Sequence, residues 1–427
     1  LYKSCKRREN MKHIAIIGGG VSGMAAAIAA AEQDPSARIT ILEHKPQLGK
    51  KILVTGNGHC NLANTHLTPD CYRSEDPRFI QAVIQKTSWQ DTVRFFEDLG
   101  LPVRAKGNYL YPRSGQASSV LRVMTRRLKE LGVEICLDTH ITKIIPKGTG
   151  FQIHAGSKTC QSPKKICDAD RVILACGGKA APVQGSDGTG YDLAKSFGHT
   201  IVPVVPALVQ LKVEDSPFVK ASGVRTDGKV SVYVNGKVCS EDSGELQLTS
   251  YGISGIPVFQ VSRYAAKGLY ERKQVWLSVD FVPELSDREL LSLFRKRAEA
   301  LLRSPRLTLE EFLLGFFPDK LIVPLLKQAG LSGRIRVPDL EHYHLDKLVS
   351  ACKHTRLTIT DTNGFESAQV CAGGVSTAEI DPDTMESRLR KGLYLAGELT
   401  DADGICGGYN ICWAVTTGRL AGRSAVL

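Results

Sequence analysis

The chain has 427 residues, 42% hydrophobic and 23% charged, with a formal net charge of +11. That length exceeds one ordinary domain, and that composition excludes a disordered or low-complexity protein. The charge is dispersed: residues 1–10 carry +3 (Lys3, Lys6, Arg7 and Arg8 against Glu9), and runs such as Arg126-Arg127 and Arg295-Lys296-Arg297 read as solvated helix faces. No zinc-finger, RNP or KH pattern accompanies it, so nucleic-acid binding is not expected.

In chain order, residues 1–10 are basic and lack the apolar core of a signal peptide, and they read as a disordered extension before Met11. The run Ile14 to Ala31 is uncharged and long enough for a membrane span. Four glycines and Ser22 break it into strand, turn and helix, so no span is expected. Lys12 to Ile17 reads as a buried strand, Gly18-Gly19-Gly20-Val21-Ser22-Gly23 as a GxGxxG turn, and Met24 to Glu32 as an Ala-rich helix. A second strand, Arg38 to Leu42, ends in Glu43, twenty residues after Gly23. In this arrangement the first glycine permits the turn, the second admits a pyrophosphate, and the third lets helix and strand pack. The helix N-terminus faces the phosphates, and Glu43 accepts from ribose hydroxyls. A dinucleotide site is therefore expected.

Further helices are expected at Trp89 to Leu99 and Val120 to Leu131. Strands are expected at Val133 to Leu137 and Arg171 to Ala175, the latter running into Cys176-Gly177-Gly178. Residues 11–200 thus alternate strands and helices, which predicts a parallel sheet covered by helices on both faces. From about 201 the pattern becomes period two. Val230 to Val234, then Asn235-Gly236, then Lys237 to Cys239, spells a β-hairpin with a type I′ turn. Leu246 to Leu248 and Val275 to Val279 extend an antiparallel sheet or barrel over 201–284. Ser286-Asp287-Arg288-Glu289 and Thr308-Leu309-Glu310-Glu311 are capping boxes, and Pro318 opens a helix that Gly330 closes, giving a helical unit over 285–350. Strands return near Arg356 to Ile359, and residues 345–360 are a further candidate part of the β domain. The chain ends in a strand, Gly392 to Glu398, and a helix from Ile411. The predicted fold is α/β: a split dinucleotide domain (11–200 and 355–427) with an inserted β domain and a small helical domain. Its twelve cysteines contain no C-x-x-C pair and no zinc-like spacing, which fits a reducing cytoplasm and no metal site.

Several runs carry a family resemblance. These are Gly49-Lys50-Lys51-Ile52-Leu53-Val54-Thr55-Gly56-Asn57-Gly58-His59-Cys60-Asn61-Leu62-Ala63-Asn64, Ala175-Cys176-Gly177-Gly178-Lys179 and Tyr251-Gly252-Ile253-Ser254-Gly255. At the C-terminal end they are Ala372-Gly373-Gly374-Val375, Gly397-Glu398, Asp403-Gly404 and Gly407-Gly408-Tyr409-Asn410. The chain resembles the bacterial BaiN-type flavoproteins, also called the aminoacetone-oxidase family of FAD-binding enzymes. The resemblance implies noncovalent FAD and a three-part fold. It implies a pyrophosphate turn at Gly18, Gly20, Val21, Ser22 and Gly23, and adenosine-ribose contacts at Glu43 and His44. Lys51, Thr55, Gly56, Asn57, Gly58 and Asn61 would lie against the flavin and its diphosphate. Ile141, Ala175, Gly177, Gly397, Glu398 and Asp403 would add contacts. The turn Gly407, Gly408, Asn410 and Ile411 would face the pyrimidine end of the ring, where amides and a helix dipole stabilise the reduced flavin's negative charge. Two departures bear on substrate choice: His59 stands where an arginine is common, and Ile405-Cys406 replaces a more polar pair.

The acid/base candidates are His59, Cys60, Tyr109, Tyr111, Tyr251, Asp403 and Tyr409, with His59, Tyr251 and Tyr409 foremost. No second GxGxxG follows a strand, so NAD(P)H is expected only as a transient electron donor. The expected activity is reduction of an activated C=C or C=O in a hydrophobic small molecule of the bile-acid or steroid type. The alternatives are an amine (aminoacetone-type) oxidase releasing H2O2, and a flavin-binding redox sensor or RNA-associated protein without turnover.

Overall fold

The computed structural model describes residues 11–156 and 163–427, so the extension expected at 1–10 lies outside the described residues. The chain forms two compact units, 11–204 with 369–427, and 205–368.

The first unit is built on a five-stranded parallel sheet. Its strands include β1 (His13–Ile17), β2 (Arg38–Leu42) and β3 (Glu134–Cys136). All five residues of β1 are buried, which suits a central parallel strand made of Ile and Ala. Helix α1 (Val21–Gln33) connects β1 to β2, and helix α2 (Ala117–Glu130) precedes β3. Between β3 and the next parallel strand the chain departs from the expected alternation. It builds an antiparallel sheet, β4 (Ile141–Lys147), β5 (Gly150–Ala155) and β6 (Lys164–Ala169), before β7 (Arg171–Leu174) rejoins the parallel sheet. The cause is local: Phe151 and Ile153 alternate with Gln152 and His154 and, with Ile144, bury in the core shared with β1. The fifth parallel strand, Leu393–Leu395, comes from the far end of the chain and pairs with β7, giving the order Leu393–Leu395, β7, β1, β2, β3.

The C-terminal helix, Tyr409–Val426, lies against α1. A Cβ on Gly418 would sit 2.3 Å from the Ser22 carbonyl oxygen, and one on Gly422 would sit 2.1 Å from that of Ala26. Only hydrogen fits there, so the two helices touch backbone to backbone.

The second unit holds a closed six-stranded antiparallel barrel: β8 (Leu211–Val213), β9 (Arg225–Val234), β10 (Lys237–Thr249), β11 (Gly252–Gly255), β12 (Val275–Asp280) and β13 (Thr355–Thr362). The order is β8-β11-β10-β9-β12-β13, and β13 closes on β8. The β9–β10 turn has Asn235 at φ +49° and Gly236 at φ +79°, the two left-handed residues of a type I′ turn. Both capping boxes form: Ser286 exchanges hydrogen bonds with Glu289, and Thr308 with Glu311. Leu290, Phe294 and Phe312 from these helices, and Leu321 from the next helix (Asp319–Gln328), share one core with Val230, Leu277 and Leu357 of the barrel. Among the described residues no helix is long and apolar enough to cross a membrane.

Candidate functional site

The three motif glycines of the GxGxxG turn meet two close approaches and one open position. A Cβ on Gly18, at φ +104°, would lie 2.5 Å from the Ala175 carbonyl oxygen, and one on Gly23 would lie 2.0 Å from that of Gly18. Around Gly20 there is nothing within 4 Å of that position. Gly20 is also the N-cap of α1 and offers no side-chain cap. The amides of Val21, Ser22 and Gly23 have no helical acceptor and open onto the same space.

Glu43 is 7% exposed and its carboxylate is already engaged. One oxygen accepts from the Gly19 amide at 2.7 Å, and the other accepts from the Lys45 amide at 2.8 Å. These bonds lock the glycine turn to the end of β2, and the remaining lone pairs can still accept from hydroxyls. His44 Nδ1 lies 3.3 Å from Glu43, while His44 Nε2 is buried with no partner among the described residues. The Thr139 amide donates to the Glu43 carbonyl, which places Ile141, 5% exposed and packed in the core, just beyond this corner.

Lys51 Nζ donates to Glu398 Oε2 at 2.7 Å, while Glu398 Oε1 accepts from the Cys371 amide at 3.0 Å. The Lys51 segment and the Gly397-Glu398 turn therefore meet across 347 residues of sequence. Gly397, at φ +73°, backs onto Ser22 of the first turn, so a Cβ there would come within 2.6 Å of Ser22 Oγ. Gly177, at φ +73°, faces Ser186 in the same way, and its neighbour Gly178 is ringed by Glu398, Tyr191 and Cys371. The Tyr191 hydroxyl is buried without a partner among the described residues.

The loop after Lys51 is strained. Gly56, Asn57, Gly58 and Cys60 all have positive φ, and each of the two non-glycines stores roughly 1 kcal/mol or more. Thr55 holds the loop by donating to the Ile52 carbonyl. His59 Nδ1 donates to the Gly115 carbonyl at 2.7 Å, which leaves Nε2 as the acceptor of the neutral ring. Burial pushes the Cys60 thiol up to about 11, so it is no thiolate nucleophile.

The second turn, Gly407-Gly408, opens the C-terminal helix, again with no side-chain cap. A Cβ on Gly408 would strike Asn61 Oδ1 at 2.6 Å and the Ala63 carbonyl oxygen at 2.7 Å. Asn64 Nδ2 donates to the Gly407 carbonyl at 3.2 Å, and Tyr109 lies 3.1 Å from the Cβ position of Gly407. Asn410 clamps both backbone groups of Gly404 at 2.9 Å, Asp403 is buried in a short pairing with Arg73, and Ile411 packs half-buried against the core. The Tyr409 hydroxyl donates to the His66 carbonyl at 2.8 Å and its side chain is 3% exposed, so it braces the turn. Tyr251 belongs to the second unit, in the turn between β10 and β11.

The two uncapped helix N-termini are linked by a rigid ruler. Gly418 sits on Ser22, and Tyr409 lies nine residues earlier on the same helix, roughly 13 Å away at 1.5 Å per residue. A dinucleotide lying across this space would put its diphosphate at one N-terminus and its ring at the other. Buried orphan atoms at His44 and Asn61, the open face of Gly20 and the two sets of free amides fit such a group. Sequence reasoning singled out most of these residues but missed Asn64 as a Gly407 partner, Tyr191, and the Cys371 amide on Glu398.

This fold and cradle define a Rossmann-type dinucleotide-binding flavoprotein, an FAD-dependent oxidoreductase with a barrel-bearing insertion. The chain belongs to the HI0933-like protein Rossmann-domain family, which matches residues 12–424. It is 51% identical over 415 residues to a 3-dehydro-bile acid delta(4,6)-reductase from Clostridium scindens, covering 97% of this chain and 99% of that one. It is 27% identical to a ribosomal RNA dihydrouridine synthase of Haemophilus influenzae and 26% identical to one of Escherichia coli, over 93% of this chain and 94% of each relative.

Proposed function

We propose that the protein takes hydride from NAD(P)H onto FAD in the cytoplasm and saturates a ring C=C conjugated to a carbonyl in a steroid-like substrate. The single observation that supports it best is the full-length 51% identity with a bile-acid reductase. The names of both kinds of relative describe the same bond change, hydrogen added across a ring C=C. Bound FAD supplies hydride chemistry. The protein then has to supply binding, orientation and a proton.

Two of the proton candidates are engaged or buried. The Tyr409 hydroxyl is engaged, and Cys60 is a fully buried thiol. Tyr109 borders the Gly407 turn, is 43% exposed, and its hydroxyl makes no hydrogen bond with any described residue. Tyr109 is the proton donor of this reading.

Anaerobic stopped-flow mixing with NADH or NADPH tests it. Bleaching of the oxidised-flavin band within seconds, then reoxidation by a 3-oxo-4-ene steroid, is expected. Tyr109→Phe should slow the steroid-dependent reoxidation about 100-fold and leave bleaching unchanged. No bleaching with either nucleotide, with H2O2 released from amines instead, contradicts the reading.

A further inference from the structure

Three short strands, Ala63–Asn64, Tyr109–Pro112 and Val103–Lys106, form an antiparallel sheet beside the Gly407 turn. The register pairs Asn64 with Tyr109, Tyr109 with Lys106, and Tyr111 with Arg104. Side chains alternate across a sheet, so Asn64, Tyr109, Tyr111, Arg104 and Lys106 share one face. The other face is covered: Ala63 and Leu110 are buried with Cys412, and Val103 packs against them. The open face therefore starts at Tyr109, against Gly407, and runs outward to Arg104.

Arg104 is exposed and makes no hydrogen bond or ion pair with any described residue. Its guanidinium is 3.4 Å from the Cβ position of Gly115, whose carbonyl holds His59. No acidic residue occurs between Glu43 and Asp70 or between Asp98 and Glu130, the two stretches that build this surface. A cation left without a counter-charge at the outer end of an aromatic face is complementary to an anion carried by whatever lies along that face. The Arg104 backbone is roughly 8 Å from that of Tyr109, given two residues along a strand and one strand across. An extended arginine reaches further. That span suits a fused-ring skeleton with a short acyl tail whose reacting ring sits at the Gly407 turn.

We propose that Arg104 selects the substrate by pairing with a carboxylate at the end of the molecule remote from the reacting double bond. This rests on the enone-reductase reading for the position of the reacting ring. Guanidinium and carboxylate match as a planar two-point pair, which a lysine reproduces only in part.

The test uses the FAD-loaded enzyme, a 3-oxo-4-ene steroid acid and its neutral methyl ester. Dissociation constants come from perturbation of the oxidised-flavin spectrum, and KM and kcat from turnover. The wild type should bind the acid about tenfold more tightly than the ester. Arg104→Gln should remove that preference through the acid's Kd and KM, leaving kcat, FAD content and the ester's affinity unchanged, and Arg104→Lys should restore part of it. Equal wild-type affinity for acid and ester, or equal weakening of both by Arg104→Gln, overturns the assignment. So does an Arg104-dependent, salt-sensitive affinity for a ribosomal RNA hairpin with the acid preference unmoved. Arg104-dependent binding of the acid without reduction of either steroid would uphold this assignment and defeat the reductase reading.

Discussion

The two glycine turns that open helices toward the cradle are built on different logic. At the first, the motif glycines meet backbone most closely, Gly18 on Ala175 and Gly23 on Gly18, while Gly19 between them is covered by the Leu48 side chain. No side chain beyond the glycines faces Gly20. At the second, Gly408 presses on Asn61 and Gly407 is flanked by Asn64 and Tyr109, residues more than 290 positions earlier in the chain. The first turn can offer amides and a dipole, which suits a diphosphate. The second also presents an amide side chain and a phenol, which suits a ring where bonds change. With FAD placed as proposed, one turn would hold and the other would tune, although both are uncapped helix starts preceded by glycines.

That contrast can be broken by substitution, beginning with the largest effect. Gly23→Ala puts a methyl 2.0 Å from a backbone carbonyl with no room to shift. It should cost about 3 kcal/mol or more and lower the melting temperature of the apoprotein itself. An apoprotein melting unchanged would show that the first turn tolerates repacking. Gly408→Ala should act more gently, because its strike on Asn61 can be relieved by a side-chain rotation, though φ +94° and the Ala63 carbonyl still oppose it. The expected outcome is an FAD dissociation constant raised about tenfold, or roughly 1.4 kcal/mol, with a displaced flavin spectrum. An unchanged spectrum would detach the second turn from the ring.

What the sequence made legible follows the same line. The first turn, the Asn235-Gly236 hairpin and both capping boxes rest on contacts within a few residues, and local rules reach them. The antiparallel β4–β6 sheet interrupts the expected alternation because the period-two pattern of Gly150 to Ala155 outweighs the surrounding βα rhythm. Barrel closure needs β8 to find β13 about 150 residues later, which no local pattern encodes. The backbone bonds that occupy Glu43 were hidden for a related reason: a terminal acid on β2 is visible in the sequence, but the Gly19 and Lys45 amides that claim it depend on the folded turn. The second turn was reached through family resemblance alone, since Asn61, Asn64 and Tyr109 meet it only in three dimensions.

The central claim is that FAD lies between these two turns with its diphosphate over Gly20. Gly20→Val adds bulk where there is now open space, so the apoprotein should fold and melt like the wild type. Titrating FAD into both apoproteins and following flavin fluorescence tests the claim directly. The account predicts one FAD per wild-type chain and at least about a hundredfold weaker uptake by Gly20→Val, roughly 2.7 kcal/mol. Equal uptake by both proteins, or none by the wild type, would contradict it.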